Sequence, residues 1–496
     1  MNVEILSPTL ARVKFTNTTE LDVVKKHLTY RNTSISFQIK KHKGNRWWKQ
    51  RDPDGWDYRL SVLERDLYTC MLEQNGDDYY IKPGSIPWVK NSTNVYITNN
   101  IKYPTLKPIP WKKKPEFDPY PYQSDSVTKL IDVKHGNVSL PTGCGKSFIL
   151  LMLARTMGLN TVIVTPSKSI FNELLKEFQL RLGKNMVGGY GDGKKDFSKK
   201  ITIAIGKSLT MLKEGTEAYE AFISKEAMFV DESHTFAASQ LKKVCHDVLK
   251  DVPYRMFVSA TQTRGDGTEK LLNSIIGETV LEMGLKEAID NGFLCPLHFN
   301  VIPTFSPSTR DKRDPIECKR EHLLYNDQVA DIAAKIANAS ATHKQESTLI
   351  LVEELRQIEA LCKRLTVPYA YVHSGSKADA AVWNLTTVKL QEQVDAFNEG
   401  KVKVLIGTKA IATGTNIYPT HNTINWVGGS SEIVTKQGTM GRSTRKLEIS
   451  KFKDLHVPKP FARIFDFRIH GQPFLEKQLQ KRLAYYKEAG GDIAFL

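Results

Sequence analysis

A glycine-rich segment at residues 140–147, LPTGCGKS, has the residue types and spacing that bind phosphate. Gly143 and Gly145 allow the backbone to turn tightly enough to point several N–H groups at phosphate oxygens. The helical pattern that follows, at residues 148–157, would add the positive N-terminal end of a helix. Together these features predict a loop that binds the phosphates of a nucleotide.

Two side chains complete the predicted loop. Lys146 would reach the β- and γ-phosphates, and Ser147 would be a ligand of Mg²⁺. Leu140 stands where the general G-x-x-x-x-G-K-[ST] pattern has its first glycine, while the G-x-G-K-S part is complete. The predicted nucleotide contacts of the loop are Thr142, Gly143, Cys144, Gly145, Lys146 and Ser147.

Two adjacent carboxylates follow an apolar segment further along the chain. The run AMFV at residues 227–230 predicts a buried strand, and Asp231 and Glu232 come directly after it in the run DESH. At that position Asp231 can hold Mg²⁺, and Glu232 can orient and deprotonate the water that attacks a γ-phosphate. The loop and the carboxylates together predict hydrolysis of a nucleoside triphosphate.

The N-terminal part of the chain alternates strand-like runs with one helical stretch at residues 21–28, which predicts a small α+β domain. Its predicted strands lie at residues 11–15, 34–39, 56–63 and 78–82. A stretch rich in proline and lysine, residues 103–121, follows and predicts a linker, since proline interrupts regular structure.

From residue 122 onward, short apolar strands alternate with helical segments, which predicts parallel sheets covered by helices on both faces. The first set of predicted strands lies at residues 138–140, 161–165, 201–205, 228–230 and 256–258. The second set lies at residues 349–352, 369–372, 402–406, 423–427 and 464–467. Two tandem α/β domains are the simplest explanation, with an irregular, charge-rich loop predicted at residues 305–321.

Composition excludes several classes of protein. Of the 496 residues, 41% are hydrophobic and 25% are charged, as in folded globular proteins, and no apolar run is long enough to span a membrane. The net charge of +16 favours a polyanionic partner. Six scattered cysteines without a C-x-x-C pair favour a reduced cytoplasmic setting without structural zinc. The N-terminus lacks the pattern of a secretory signal.

The phosphate loop and the DESH run match the first two motifs of superfamily 2 helicases, and the chain resembles that family. Gln123, upstream of the loop, resembles the glutamine that recognises adenine. The run SAT at residues 259–261 resembles the third motif, which couples the phosphate site to the nucleic-acid groove. The residues that resemble the family's contacts to the nucleic-acid backbone are Pro166, Ser167, Lys168, Lys207 and Ser208.

The second half of the chain continues the resemblance. The runs VLIGT at residues 404–408 and TGTN at residues 413–416 are similar to the fifth motif. The resemblance implies that Thr408 contacts nucleic acid and that Gly414 and Asn416 contact the nucleotide.

The run GRSTR at residues 441–445 is similar to the sixth motif. The resemblance implies that Arg442 and Arg445 act as arginine fingers, which stabilise negative charge on the transferring phosphoryl group. The preceding glutamine, Gln437, stands one residue further from the GR pair than the usual Q-x-x-G-R spacing.

Other segments narrow the resemblance to a subgroup. The run RGDG at residues 264–267 resembles the R-x-D element of RecG-like and XPB-like DNA helicases, and residues 285–296 resemble the passage between their two motor domains. The order of the N-terminal segments is similar to that of UvsW-like branch-migration helicases of phages.

A basic stretch in this N-terminal part, residues 40–51 (KKHKGNRWWKQR), interleaves six Lys and Arg residues with two indoles. Its cations would bind phosphates, and an indole could stack on an unpaired base or wedge a junction. Either indole could instead belong to the core, because adjacent residues of a strand face opposite ways. The predicted nucleic-acid contacts here are Lys40, Lys41, Lys43, Trp47 and Trp48.

The resemblance implies two tandem RecA-like parallel-sheet motor domains preceded by a small α+β domain. The expected boundaries are residues 1–112 for the N-terminal DNA-binding domain and linker, 113–297 for the ATP-binding motor domain and 298–496 for the second motor domain. It implies an ATP- and Mg²⁺-dependent DNA helicase or translocase that remodels forked or four-way junctions in recombination, repair or replication. The expected location is the cytoplasm, that of the host if the chain is of phage origin. An RNA helicase and a DNA translocase without strand separation are the alternatives.

Overall fold

The computed structural model contains three large sheets and a two-stranded ribbon. The structure describes residues 1–236, 238–260, 269–306, 314–408, 411, 416–431, 434–448 and 450–496. The chain divides into two compact units: the first comprises Met1–Leu140 and Gly145–Glu282, and the second comprises Met283–Leu496 with Pro141–Cys144. None of the helices in the described ranges combines the length and the apolar character needed to cross a membrane.

The N-terminal region, residues 1–99, is built on a five-stranded sheet. The region as a whole contains the strands β1 (Asn2–Ser7), β2 (Leu10–Lys14), β3 (Thr29–Arg31), β4 (Tyr68–Cys70), β5 (Glu73–Asn75), β6 (Asp78–Ile81) and β7 (Tyr96–Asn99). Its helices are α1 (Thr18–Leu28), α2 (Thr33–Gly44), α3 (Arg46–Arg51), α4 (Pro53–Arg65) and α5 (Ile86–Lys90). The sheet has the order β5-β6-β2-β1-β7, while β3 pairs with β4. The predicted strands at residues 11–15 and 78–82 and the predicted helix at residues 21–28 are confirmed as β2, β6 and α1.

Two predicted strands of this region are wrong. Residues 34–39 lie in α2, and residues 56–63 lie in α4. The side chain of Asn32 accepts hydrogen bonds from the first turn of α2, and Asp52, followed by a proline, caps α4. Capping residues of these types start a helix, and here they outweigh the strand-like composition of the segments that follow them.

The first α/β region, residues 121–282, contains an eight-stranded sheet. Its strands are β8 (His135–Ser139), β9 (Thr161–Thr165), β10 (Val187–Gly191), β11 (Lys194–Lys195), β12 (Ile201–Ile205), β13 (Ala227–Val230), β14 (Tyr254–Ser259) and β15 (Glu278–Glu282). Its helices are α6 (Pro121–Val133), α7 (Lys146–Met157), α8 (Lys168–Leu182), α9 (Gly206–Leu209), α10 (Glu217–Ile223), α11 (Ala238–Lys242) and α12 (Glu269–Ile276), with a π-helix at Lys243–Val248. The order is β11-β10-β12-β9-β13-β14-β8-β15, and only β11 is antiparallel among the described strands. Strands β9, β12, β13 and β14 are buried along their length, as expected of a sheet covered on both faces.

The proline-rich stretch forms an extended strap, residues 103–120, along this region. It contains no helix or strand, as predicted. The N–H groups of Lys107 and Ile109 donate to carbonyl groups at the end of α7, at 3.0 and 2.8 Å, and the N–H of Lys112 donates to the carbonyl of Arg181 in α8 at 2.9 Å. These contacts fix the strap to the surface of the sheet's helices, so the predicted linker is an ordered part of the first unit.

The N-terminal region packs against helix α12 within the same unit. The ammonium of Lys270 donates to the carbonyl oxygens of His27 and Thr29, at 2.9 and 3.0 Å, and so satisfies groups at the end of α1. Leu271 joins the hydrophobic core of the N-terminal region. At Gly84 the two backbones approach so closely that a Cβ atom would lie 2.3 Å from the carbonyl oxygen of Ser274.

The second α/β region, residues 283–496, contains a seven-stranded parallel sheet. Its strands are β16 (Leu297–Phe305), β17 (Thr348–Leu351), β18 (Tyr369–Val372), β19 (Val404–Gly407), β20 (Asn422–Asn425), β21 (Ala462–His470) and β22 (Asp492–Phe495). Its helices are α13 (Leu285–Asp290), α14 (Pro315–Lys319), α15 (Asp327–Lys344), α16 (Leu355–Cys362), α17 (Lys377–Val382), α18 (Leu390–Asn398), α19 (Gly441–Ser443) and α20 (Pro473–Glu488). Two π-helices, Arg320–Leu324 and Val434–Met440, and a 3-10 turn, Lys453–Leu455, complete it. The order is β18-β19-β17-β20-β21-β16-β22.

The predicted fold class is confirmed: two parallel-sheet regions follow a small α+β region. All ten predicted strands of the two sheets are present, with ends shifted by a few residues. The prediction missed β10, β11, β15, β16 and β22. The irregular loop predicted at residues 305–321 is partly wrong, because the side chain of Asp314 caps α14 and the chain stays helical beyond it.

We expect Gly84→Val to weaken the packing of the N-terminal region on α12, because the added carbons would overlap the carbonyl of Ser274. Overpacking of this kind costs about 1–3 kcal/mol. Amide hydrogen exchange in α12 and in the Pro83–Ser85 turn should become about tenfold faster, while exchange in β9 stays unchanged. Gly44→Val is the matched control, since nothing lies within 4 Å of a Cβ there. Equal exchange rates in the two variants would contradict the assigned interface.

Candidate nucleotide-binding site

The glycines of the phosphate loop have backbone conformations that favour glycine. Gly143 has φ of 99° and Gly145 has φ of 71°, in the left-handed region where a Cβ is disfavoured. A Cβ at Gly145 would also lie 2.5 Å from the amide nitrogen of Gln123. The loop begins after β8 and leads into α7, whose first N–H groups lack partners within the helix. This arrangement can receive the oxygens of a phosphate.

Lys146 is buried within the loop, with 6% of its surface exposed. Its ammonium donates to the carbonyl oxygen of Leu140 at 3.3 Å and lies 3.3 Å from a carboxylate oxygen of Glu232. The structure therefore brings the predicted lysine and the predicted base together. A phosphate group that enters the loop can take over this ammonium and leave the carboxylate of Glu232 available for a water molecule.

Asp231 lies at the carboxyl end of β13 and is 4% exposed. Its Oδ1 atom accepts no hydrogen bond from any described residue. Burial, and then the neighbouring charge of Glu232, raise the pKa of the Asp231 carboxyl to about 8, against the opposing effect of Lys146. A divalent cation would supply the positive charge that this carboxylate lacks. The position thus fits Mg²⁺, with Ser147 in the first turn of α7 as the second predicted ligand.

Ser259, at the end of β14, forms hydrogen bonds both to the phosphate loop and to the segment that carries the two carboxylates. Its carbonyl oxygen accepts the N–H of Leu140 at 2.8 Å, and its hydroxyl lies 2.6 Å from Nδ1 of His234. The same imidazole nitrogen lies 3.4 Å from a carboxylate oxygen of Glu232. Strand β14 lies between β13 and β8 in the sheet, which explains why this serine reaches both the carboxylate segment and the loop.

The role of His234 was missing from the sequence prediction, although the DESH run contains it. The sequence offered one indication of this role, namely that the chain contains both the DESH run and the later SAT run. The order of the strands, which the sequence did not specify, places the two runs side by side. Glu232 itself has φ of 47°, a conformation that a glutamate adopts rarely.

Gln123 lies against the phosphate loop. It lies in the first turn of α6, and its side-chain oxygen accepts the N–H of Tyr120 at 3.0 Å. The amide nitrogen of Gln123 is the atom that faces Gly145. Among the other loop residues, Thr142 is half-buried and Cys144 is buried.

The predicted arginines lie in the second unit. Arg442 belongs to the short helix α19 and is 3% exposed. Arg445 lies just beyond the end of that helix, and its guanidinium is 5.8 Å from the ring centre of Tyr418. The buried ammonium of Lys459 donates to the carbonyl oxygens of Arg445 and Tyr418, at 2.7 and 3.3 Å. This lysine, which the sequence did not indicate, fixes the backbone that carries Arg445.

Two protein families match the chain. The family described as "Type III restriction enzyme, res subunit" matches residues 116–264, and the helicase conserved C-terminal domain matches residues 328–453. Together the matched stretches cover more than half of the chain and contain the phosphate loop, the two carboxylates and the GRSTR run. The chain belongs to the superfamily 2 helicases.

Individual relatives are distant. Helicase 22 of Sulfolobus islandicus filamentous virus (isolate Iceland/Hveragerdi) is 23% identical over 322 residues, 60% of this chain and 56% of that relative. The ATP-dependent DNA helicase uvsW of Enterobacteria phage T4 is 21% identical over 367 residues, 70% of this chain and 68% of the relative. The solved structure of the ATP-dependent Type ISP restriction-modification enzyme LlaBIII bound to DNA matches 75% of this chain and 30% of its own, with 13% identity and a TM-score of 0.50. The chain thus spans about half the length of the viral relative, and the structural match shows a shared fold.

The predicted nucleic-acid contacts of this helicase in the first α/β region follow two adjacent parallel strands. Pro166, Ser167 and Lys168 follow β9, and Lys207 and Ser208 lie in α9 directly after β12. Both segments therefore lie at the same edge of the sheet. The hydroxyl of Ser167 caps α8, and the ammonium of Lys168 is exposed and lies 2.9 Å from Asp192.

The remaining predicted contacts of the helicase are dispersed. Thr408 follows β19 and is buried, and the side chain of Asn398 donates to the carbonyl oxygen of Asn416 at 2.8 Å. Gly414, residue 261 of the SAT run and the RGDG run at residues 264–267 lie outside the described residues.

The longer spacing before the sixth helicase motif has a structural explanation. The backbone from Val434 to Met440 forms a π-helix, in which hydrogen bonds span one residue more than in an α-helix. The extra residue between Gln437 and Gly441 falls within this π-helix. The backbone can therefore absorb the inserted residue just before Arg442.

The prediction for the basic N-terminal stretch of the helicase is partly wrong. Residues 40–51 lie in α2 and α3, so the argument from opposite strand faces does not apply. Trp47 is 66% exposed with the guanidinium of Arg51 over its ring, while Trp48 packs edge-on against His42. The core indole of this region is Trp56. The predicted lysines are all exposed, and they are Lys40, Lys41 and Lys43.

We expect Asp231→Asn to stabilise the nucleotide-free protein in a pH-dependent way. The folded protein keeps the proton of Asp231 up to about pH 8, whereas an unfolded chain releases it near pH 4. Stability of the wild type therefore falls as the pH rises between these values, and an asparagine removes this loss. Calorimetry should show a Tm higher by about 2 °C or more at pH 8, with the two curves converging toward pH 4. A Tm difference that does not depend on pH would contradict the raised pKa.

Proposed function

We propose that this chain is an ATP-dependent DNA helicase or translocase that remodels branched DNA. The observation that carries the proposal is the buried cluster of Lys146, Asp231 and Glu232, which places an ammonium, an unpartnered carboxylate oxygen and a candidate base beside the phosphate loop. In this proposal residues 1–112 bind DNA and include the first part of the strap, and residues 113–297 and 298–496 are the two motor domains.

The residues of the first motor domain divide the chemistry of hydrolysis. Lys146 leaves Glu232 and binds the β- and γ-phosphates of ATP, and the N–H groups after Gly145 bind further phosphate oxygens. Glu232 then accepts the proton of the attacking water, and its contact with His234 keeps the carboxylate in place. Mg²⁺, held by Asp231 and Ser147, would neutralise charge that develops on the phosphates. Gln123 is proposed to bind the adenine edge.

The second motor domain supplies positive charge to the same reaction. Arg442 and Arg445 are proposed to stabilise the transferring phosphoryl group as arginine fingers. Loss of the γ-phosphate on hydrolysis removes the ligand that these arginines and Lys146 share. The affinity of the two domains for each other then changes with the state of the nucleotide. Repeated cycles of tighter and weaker association between the domains drive movement along a DNA strand.

DNA is the proposed polyanion for three reasons. The chain carries a net charge of +16, the ammonium groups of Lys40 and Lys41 form no ion pair with described residues, and Trp47 is exposed in the next helix, α3. The relative from phage T4, uvsW, is named an ATP-dependent DNA helicase. A basic surface next to an exposed indole suits a junction, where phosphates and unpaired bases occur together.

Lys146→Ala should reduce ATP turnover by about 10³-fold or more and leave DNA binding near the wild-type level, since the lysine contacts phosphate in the reaction. Steady-state ATPase assays and fluorescence anisotropy would measure the two effects. Lys129→Ala, at an exposed position of α6, should behave as wild type. Turnover within about tenfold of wild type in Lys146→Ala would refute the assigned site.

Replacement of both Lys40 and Lys41 by Ala should weaken binding to a four-way DNA junction. The slope of log K against log salt should become shallower by about 2, since each phosphate contact contributes about 0.9. Replacement of Lys25 and Lys26, two exposed lysines of α1, removes the same charge from the same region and serves as control.

Two outcomes, one from junction binding and one from ATPase assays with nucleic acids, would count against the proposal. An unchanged salt slope would show that α2 does not hold DNA. Stimulation of ATP turnover by RNA, without stimulation by forks or four-way DNA junctions, would favour an RNA helicase.

A further inference from the structure

A groove lined by lysines lies on the outside of the first motor domain, apart from the nucleotide site. Its volume is about 770 Å³, and five of the nine residues that line it are lysines while none is acidic. The lysines are Lys112, Lys113, Lys176, Lys184 and Lys194. Helix α8 forms the floor, and the strap and the short strand β11 contribute the lysines at its sides.

The sides of the groove are held in place by specific contacts. Arg181 donates to the carbonyl oxygen of Lys114 and to the carboxylate of Glu116, both at 3.1 Å, and so ties the strap to α8. The stem of Lys112 passes over Gly183, and that of Lys194 passes over Gly189. These contacts attach the strap to α8 and place the stems of Lys112 and Lys194 against the backbone.

The positive charge of the groove is largely uncompensated. The carboxylates of Glu116 and Glu177 are paired with Arg181, and Asp192 is paired with Lys168. Only one groove lysine, Lys113, has an ion-pair partner among the described residues, at 3.2 Å from Glu116. The other four are exposed and have no carboxylate oxygen within 4 Å in the described ranges. The charge of Lys194 contributes, after Lys168 and Asn172, to a lowered pKa of Asp192. Four such cations around one groove favour a polyanion.

We propose that this lysine groove binds the phosphate backbone of duplex DNA. The inference rests on the proposed function and extends it. The backbone contact proposed at Ser167 and Lys168 lies at the start of α8, and the groove lies along the second half of the same helix. From Lys168 to Gln179 the helix rises about 16 Å, a length that corresponds to about five base pairs.

The composition of the groove indicates a duplex rather than a single strand. Sites for single-stranded nucleic acid combine cations with aromatic rings on which the bases stack. None of the described residues that line this groove is aromatic. A duplex keeps its bases inside and presents phosphates alone, which is the chemistry that these lysines can bind. The groove would hold the duplex arm of a fork beside the strand on which the motor acts.

The test replaces the four unpaired groove lysines by Gln in the full chain and measures binding by fluorescence anisotropy between 50 and 300 mM salt. The probes are a fork with a duplex arm and a single strand of equal length. For the fork, the slope of log K against log salt should become shallower by about 3.6, since each phosphate contact contributes about 0.9. For the single strand, the slope should stay as in the wild type.

Two further variants control for folding and for total charge. Replacement of the same four lysines by Arg keeps the charge and should keep the wild-type slope on the fork. Four lysines of the second unit, Lys335, Lys344, Lys363 and Lys377, are exposed and can be replaced by Gln to remove the same charge elsewhere. This second variant should also keep the slope.

The possible results distinguish failure of the groove proposal from failure of the proposed function. A groove variant with the wild-type slope on the fork, or one that loses as much slope on the single strand, would overturn the proposal. A larger effect on duplex RNA than on duplex DNA would overturn the choice of ligand. A wild-type protein that hydrolyses no ATP, but whose fork binding still depends on the four lysines, would refute the proposed function and support the groove.

Discussion

The ion pair between Lys146 and Glu232 is the interaction on which the nucleotide site depends. Both groups lie in a largely buried setting, where an unpaired ammonium would be costly, so each holds the other in position. Burial, and then the charge of Glu232, raise the pKa of the Asp231 carboxyl against the opposing effect of Lys146, whose ammonium is paired with Glu232. The structure without ligand thus already contains the charges that ATP and Mg²⁺ would rearrange.

The order of the strands explains how these groups meet. Strand β14 separates β13, which carries the carboxylates, from β8, which leads into the loop. Ser259 at its end contacts both neighbours, through its carbonyl oxygen to Leu140 and through its hydroxyl to His234. The end of β14 is thus hydrogen-bonded both to the start of the phosphate loop and to the carboxylate segment.

The N-terminal region and the strap give the first unit its additional surfaces. Lys270 and the close approach at Gly84 fix the N-terminal region to α12, which follows β14 in the chain. The strap is fixed to α7 and α8 by backbone hydrogen bonds and by Arg181. Both attachments depend on contacts between residues far apart in the sequence, such as His27 with Lys270, and no local sequence pattern indicated either of them.

The sequence-based prediction also failed at α2 and α4, where the capping residues Asn32 and Asp52 outweighed the strand-like composition.

The sequence by itself determined the phosphate loop, the two carboxylates, the parallel sheets and the family resemblance, because these depend on residue types at short, fixed spacing and on runs of apolar residues. Tertiary structure alone decided that Lys146 pairs with Glu232, that His234 meets Ser259 and that Lys459 holds the backbone of Arg445. The physical reason is that strand order and helix packing set the distances between groups that are remote in the chain. Hydrogen bonds and ion pairs act only within a few ångströms, so spacing in the sequence cannot specify them.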